Sequence, residues 1–239
     1  MLISMTIDIL LLTYNNLPST KQCIEHLYKH TSDFNLIILD NNSTDGTIDY
    51  LKLLSEKHDN VYVNFQKENL GIIKGRNKCF DFNRENSNSE KIIFLDNDQM
   101  VQSKWLDSYL EMMKDFEIIG CEPWLMRSHD FYPYKRITDK NENFSYCGAG
   151  GMMLNAKLFE ELGRFDIDYH MVYFEDPHLC FSAYYQGYKI GYCNSLIEHH
   201  HKGALLSSKN RKYFMGNWKT FQKKWEGKKI PIFNNYIDK

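Results

Sequence analysis

"KIIFLDNDQ", residues 91–99, carries Ile92, Ile93 and Phe94 through Leu95 straight into Asp96-Asn97-Asp98. A continuous apolar run of this kind reads as a strand covered on both faces. This one ends on two carboxylates one residue apart. A buried ionised carboxylate is costly unless it is paired or bound to a metal, and two together raise each other's pKa. The stretch therefore predicts a positively charged partner at the strand's carboxyl end.

The residues before it repeat the pattern. "TIDILLLTY" (6–14), "FNLIILD" (34–40) and "NVYVNF" (60–65) read as three further strands. Between them lie "PSTKQCIEHLYKH" (18–30), with Cys23, Ile24 and Leu27 at helical spacing, and "STDGTIDYLKLLSEKH" (43–58), a turn into a helix. Ser43 or Thr44 is the expected N-cap of that helix, with Asp45 in its first turn. "GIIKGRNKCFDFN" (71–83) reads as a third helix. This alternation predicts an α/β fold with a Rossmann-like, mostly parallel central sheet, helices on both faces and right-handed crossovers. Ligands in such sheets collect outside the carboxyl ends of the strands. Thr13-Tyr14-Asn15-Asn16, Asp40-Asn41-Asn42-Ser43 and Asp96-Asn97-Asp98 should then share one rim, bordered by Asn69, Gly71, Lys74, Gly75 and Arg76.

The second half is less regular. Residues 122–146, rich in aromatics and polar residues, read as a long excursion. "CGAGGMMLNAKLFEELG" (147–163) reads as a strand and a helix closed by Gly163, and "FEDPHLCFSAYYQGYKIGYC" (174–193) as a helix followed by a strand. With no repeat or linker, the expected organisation is one domain over 1–203, with halves 1–100 and 101–203, and a separate segment over 204–239. That last segment has nine Lys or Arg against one Glu between Lys202 and Lys229. Phe214, Trp218, Phe221 and Trp225 recur there at helical spacing. Such a helix either packs its aromatic stripe on the domain or lies on an anionic membrane.

Bulk properties narrow the class. The 239 residues are 43% hydrophobic and 25% charged with net charge −2, ordinary for a folded protein and without a field that points to nucleic acid. The six cysteines form no C-x-x-C pair, so reduced thiols are expected. The first residues lack the basic region and cleavage site of a signal peptide, and their apolar run is far short of the ~20 residues that span a bilayer. A cytoplasmic location is expected, either free or at the inner face of the membrane.

"LLTYNN" (11–16), "ILDNNSTDGT" (38–47), "NLGIIKGRN" (69–77), "FLDND" (94–98), "GAGGMMLNAKLFEELGRFD" (148–166) and "YFEDPHLCFSAYYQGYKI" (173–190) together resemble the family 2 glycosyltransferases. The resemblance covers roughly residues 6 to 203 by motif order. It implies a GT-A-type nucleotide-diphosphosugar fold and transfer of a sugar to an acceptor hydroxyl, usually with inversion. It implies Asp176 as general base beside Glu175, and a donor site from Thr13, Tyr14, Asn16, Asp40, Asn69, Gly71, Lys74, Arg76, Asp96 and Asn97. In it Asp40 reads the base, which would favour a UDP-sugar, and Lys74 and Arg76 meet the phosphates. Asp98 and Asp96 would hold a divalent metal with a late histidine, His200 or His201, the register against His199 being open. An oxygen-plus-imidazole set favours Mn2+ over Mg2+. For the acceptor, which could be a carbohydrate, a lipid-linked sugar or a protein, Trp124, Gly150 and Gly151 are the expected contacts, with Gly148, Tyr132 and Tyr134 nearby. A binding module that keeps the nucleotide-sugar pocket without turnover is the alternative, and the set of Asp96, Asp98 and Asp176 argues for the enzyme.

Overall fold

The apolar runs lie side by side in one sheet. The computed structural model describes residues 6–87, 89–139, 141–193, 197–199 and 208–234. Strands β1 (Ile7–Thr13), β2 (Phe34–Asp40), β3 (Val61–Phe65) and β4 (Lys91–Asp96) are parallel, in the order β3-β2-β1-β4. Helices α1 (Leu17–His30), α2 (Thr47–Lys57) and α3 (Gly71–Asn86) make the crossovers. Register puts the strand ends level: Thr13 pairs with Asp40, Asp40 with Phe65, and Leu12 with Asp96. The three polar strand ends therefore do share one rim.

Beyond β4 the sheet continues antiparallel. β8 (Tyr146–Asn155) pairs with β4, β6 (Ile118–Met126) with β8, and β7 (Pro133–Arg136) closes the edge. β9 (Ile190–Tyr192) lies parallel to β6. A separate ribbon joins β5 (Gln99–Val101) to β10 (Ile197–His199), with His199 opposite Gln99. Helices α4 (Trp105–Met112), α5 (Ala156–Glu161), α6 (Glu175–Tyr185) and α7 (Ser208–Lys224) complete the chain.

Strand alternation sends successive side chains to opposite faces, so each strand feeds two cores. Leu10, Leu12, Ile37, Leu39, Ile92 and Phe94 meet α3, α5, α6 and α7 on one face. Ile9, Leu11, Leu36, Ile38, Ile93 and Leu95 meet α1, α2 and α4 on the other.

Two expectations change, and of the two arrangements expected for α7 the packed one is found. Much of the 122–146 stretch is sheet: β6 and β7 form a hairpin whose bulges, at Cys121–Pro123 and near Met126, break the alternation that would have betrayed it. Neither Ser43 nor Thr44 caps α2; Gly46 does, at φ 91°, while Asp45 precedes the helix and accepts the Leu17 N–H at the start of α1. The aromatic stripe of α7 faces inward. Phe221 is fully buried among Phe131, Phe174 and Phe181, and Phe214 lies on Phe174 and Tyr132. The helix is thus part of the main core, with Arg211, Lys212, Lys219 and Lys223 on its exposed face. No helix among the described residues is long and apolar enough to cross a membrane.

Candidate active site

The positive partner expected at Asp96 is Arg76. Its Nη2 lies 2.6 Å from Asp96 Oδ1, and its Nη1 lies 3.6 Å from Glu175 Oε1 and 3.7 Å from Asp176 Oδ1. α3 brings this side chain under the rim, 4% exposed, with Phe165 against the guanidinium. Burial disfavours its charge, but Asp96, Asp176 and Glu175 outweigh that and keep it protonated. Burial likewise works against an ionised Asp96, yet Arg76 and His199 hold it well below the usual carboxylate range. Gln99 Oε1 accepts the Asp96 N–H at 2.9 Å and fixes the turn. Three carboxylates engage the Arg76 guanidinium from within the protein.

On the open side of Asp96 stands His199, delivered by the β5–β10 ribbon. Its Nε2 is 3.6 Å from Asp98 Oδ1 and 3.9 Å from Asp96 Oδ2, and ligand atoms of all three residues lie within 4.8 Å of one another. Glu122 Oε1 meets His199 Nδ1 at 3.0 Å and Arg136 Nη2 at 2.8 Å. Burial alone would lower the His199 pKa; Asp96 and Glu122 outweigh it and push it up to about 10. Glu122 is held in place at φ 52° on the β6 bulge. Among the described residues this is the one group of three His, Cys, Asp or Glu side chains with metal-binding geometry. His200 and His201 lie outside the described residues, and the histidine at the acidic turn is His199.

The donor set suits a hard divalent cation with one imidazole. Gly150 lets that set close up: a Cβ there would sit 2.3 Å from Asp96 Oδ2 and 3.1 Å from Gln99 Oε1. Gly150 is thus required by Asp96. Gly151, at φ 81°, is crowded by Cys121 and Ile197. Gly148 is the roomier position, 3.9 Å from Asp176 Oδ2, and Trp124 packs against the core.

Asp176 and Glu175 open α6. Glu175 is 3% exposed, and Glu175 Oε2, Asp176 Oδ1 and Arg76 Nε are buried without a hydrogen-bond partner among the described residues. Burial raises the Glu175 pKa, Asp176 adds to it, and Arg76 offsets only part. Burial raises Asp176 to about 6, with Arg76 and the Ala149 N–H working against the rise and Asp96 adding to it. A carboxylate with a pKa near 6 is suited to accept a proton near neutral pH.

Much of the expected donor set turns out to hold the rim together. Asp40 is fully buried; Oδ2 accepts Thr13 Oγ1 at 2.9 Å and Ser43 Oγ at 2.6 Å, and Oδ1 accepts the Ser43 N–H. Asn97 Nδ2 donates to Asn15 O and Thr20 Oγ1. Asn69 Oδ1 accepts the Gly71 N–H and Asn41 Nδ2, a tie that the buried Asn41 extends to Gly71 O and Leu70 N. Asn16 is the left-handed cap of α1. Tyr14, 50% exposed, and Lys74 remain open to solvent. Glu122, Gln99 and Asn41 are not among the expected site residues; Glu122 and Asn41 act through partners distant in sequence, Gln99 through Asp96 three residues before it.

With this geometry in view, comparison with known proteins becomes specific. The model of "Glycosyl transferase family 2" matches residues 8–180. The chain belongs to that family. TuaG of Bacillus subtilis, a putative teichuronic acid biosynthesis glycosyltransferase, is 28% identical over 118 residues, 48% of this chain and 44% of TuaG. YfnE of the same organism, an uncharacterized glycosyltransferase, is 27% identical over 132 residues, 54% of this chain and 30% of YfnE. The chain thus spans less than half the length of these curated relatives. The mannosyltransferase PcManGT from Pyrobaculum calidifontis, solved with GDP-Man and Mn2+, superposes with TM-score 0.65 at 18% identity, over 95% of this chain and 66% of that one. TarS 1–349 of S. aureus with UDP-GlcNAc gives 0.58 at 16% identity, over 89% and 64%. These neighbours share the GT-A fold.

Proposed function

We propose that this family 2 glycosyltransferase moves a sugar from a nucleotide-diphosphate sugar to an acceptor hydroxyl, with inversion at the anomeric carbon. The observation that carries the reading is the arrangement around Arg76. On one side Asp96 and Asp98 converge with His199; on the other, Asp176 stands at the start of α6 with one oxygen toward Arg76 and the other toward Gly148.

Asp96, Asp98 and His199 would hold a divalent metal, Mn2+ favoured and Mg2+ the alternative. Bound there, it neutralises charge developing on the diphosphate leaving group. The rim formed by β1, β2 and β4 positions the nucleotide, with Tyr14 available to stack on the base and Lys74 to meet phosphate. Asp176 takes the acceptor proton on the Gly148 side, which makes the hydroxyl oxygen a better nucleophile. Arg76 keeps Asp96 ionised and tempers the rise in the Asp176 pKa. A UDP-sugar is favoured because TarS was solved with UDP-GlcNAc and GalNAc-T7 with UDP, GalNAc and Mn2+; the GDP-Man in PcManGT keeps a GDP-sugar as the competitor. The acceptor is a carbohydrate, lipid-linked or protein hydroxyl at the Gly148 side of Asp176. With its aromatic stripe buried, α7 would touch an anionic membrane through its lysines alone.

Calorimetric titration with UDP-GlcNAc, GDP-Man and a dTDP-sugar, with and without Mn2+, tests this. One donor should bind only with metal, and Asp98→Ala should abolish that binding. Equal affinity of wild type and Asp98→Ala in Mn2+ would refute the metal site. No binding by folded protein across the panel would favour a binding module without turnover.

A further inference from the structure

The loop that presents the proposed base is conformationally costly and is held from outside the family-matched region. Residues 170–174 lead into Glu175-Asp176. Three of the five, Met171 (φ 60°), Tyr173 (φ 80°) and Phe174 (φ 72°), occupy the left-handed region without being glycine. Such backbone persists only where its surroundings enforce it, and it concentrates at functional sites. The enforcing group is one side chain. Asn217, on α7 and 1% exposed, accepts the His170 N–H at 2.9 Å on Oδ1. Its Nδ2 donates to His170 O (2.9 Å), Val172 O (2.8 Å) and Tyr173 O (3.1 Å). Phe214, one turn earlier, packs on Tyr173 and Phe174.

The loop's other side rests on the helix that carries Arg76. Ile72 N–H donates to Met171 O at 2.7 Å, and a Cβ on Gly71 would sit 2.8 Å from the Met171 backbone. The loop is thus fixed between α7 and the first turn of α3. Its setting determines where Asp176 stands relative to Arg76, and through Arg76 relative to Asp96.

We propose that Asn217 is a positioning residue for glycosyl transfer: it clamps the 170–174 loop in its left-handed path and so sets Asp176 against the acceptor side of the site. This rests on the reading of Asp176 as base. It adds that the catalytic half is incomplete without α7, which lies beyond the matched residues 8–180.

The test uses the full chain with Asn217→Ala, Asp176→Ala and Gln222→Ala. Gln222 also anchors α7, through Asp130 O, without touching the loop, and so controls for looser helix docking. The first readout is amide exchange. Asn217→Ala should speed exchange at least tenfold across 170–176 and leave 96–99 as in wild type, whereas Gln222→Ala should leave 170–176 unchanged. The second is turnover of UDP-GlcNAc or GDP-Man with Mn2+, water serving as acceptor. Asn217→Ala should lower kcat about tenfold or more, with the Kd for UDP or GDP in Mn2+ within twofold. Met171→Gly added to Asn217→Ala should recover part of kcat, because glycine adopts the left-handed path without steric cost. Unchanged exchange in Asn217→Ala, or kcat within twofold of wild type while Asp176→Ala is dead, overturns the proposal alone. Equal loss from Gln222→Ala overturns it as well. Full turnover by Asp176→Ala overturns the base assignment instead. Should Asn217→Ala not fold, Asn217→Ser carries the same measurements.

Discussion

Gly150→Ala should dislodge Asp96 without touching any charged group. The added Cβ would stand 2.3 Å from Asp96 Oδ2 and 3.0 Å from its Cγ. A carbon–oxygen contact relaxes at roughly 3.3–3.5 Å, so the carboxylate must retreat by about 1 Å. It cannot swing away freely. Its other oxygen is tied to Arg76 at 2.6 Å, its backbone N–H to Gln99 Oε1, and Gly150 O takes the Cys121 thiol at 2.7 Å. Overpacking of this kind costs about 1–3 kcal/mol, or a few degrees in melting temperature for each kcal/mol in a chain of this size. Metal geometry tolerates only about 0.2 Å, so Mn2+ affinity should fall on the order of 10- to 100-fold. Gly148→Ala is the internal comparison: its Cβ would meet nothing closer than 3.7 Å, so metal affinity and melting temperature should stay at wild-type values. Isothermal titration of Mn2+ into both variants, with thermal melts, decides the matter. Wild-type affinity and stability in Gly150→Ala would refute the reasoning.

Arg76→Met leaves Asp96, Glu175 and Asp176 without their shared cation and should destabilise the fold by about 3–5 kcal/mol at neutral pH, read by urea denaturation. The loss should shrink as pH falls from 7 through 6 and below, because without Arg76 the carboxyls protonate at higher pH than in wild type; a pH-independent loss would mean packing alone. Asp176→Asn should lower turnover by 10²-fold or more with donor Kd unchanged. It should also raise stability at pH 7.5 by on the order of 1 kcal/mol, because the native state holds this group's pKa near 6 and pays to ionise it above that. That gain should vanish as pH falls toward 4, since the wild-type carboxyl is then neutral too. Comparing variant with wild type cancels the opposite slope of His178, whose pKa burial lowers to about 4. His199→Ala should abolish Mn2+-dependent nucleotide binding, and Glu122→Gln should weaken it about tenfold through loss of the ring's support, both measurable by calorimetry.

The parallel half was legible because strand burial and helix periodicity are local signals. "FNLIILD" and "KIIFLD" coincide with β2 and β4 residue for residue. The strand-end rule then located the rim, and paired carboxylates announced a cation. What stayed hidden depends on long-range partners. Arg76 and Lys74 look alike in sequence, yet one points under the rim and the other to solvent, a difference set by the rotation of α3. Placing His199 at the acidic turn needed the β10 register, which sets it opposite Gln99. Buried Asp8 reads as a stray charge in an apolar strand until Asn35, Asn83, Ser87 and Ser89 surround it. The β6–β7 hairpin was missed because bulges and Pro123 erase the two-residue alternation.

The chain's route through the site bears on its synthesis. N-terminal elements emerge from the ribosome first and begin to fold as they appear. β1 to β4, with the acidic turn, are therefore in place early, and Asp176 follows. The imidazole that faces Asp98 arrives with residue 199, and the side chain that fastens the base loop arrives with residue 217. A nascent chain halted between residues 176 and 199 would carry every acidic group of the centre and none of its late fastenings. Catalytic competence is reached only once residue 217 has emerged and docked, so fragments released before that point should be inert whatever nucleotide the rim has already taken up.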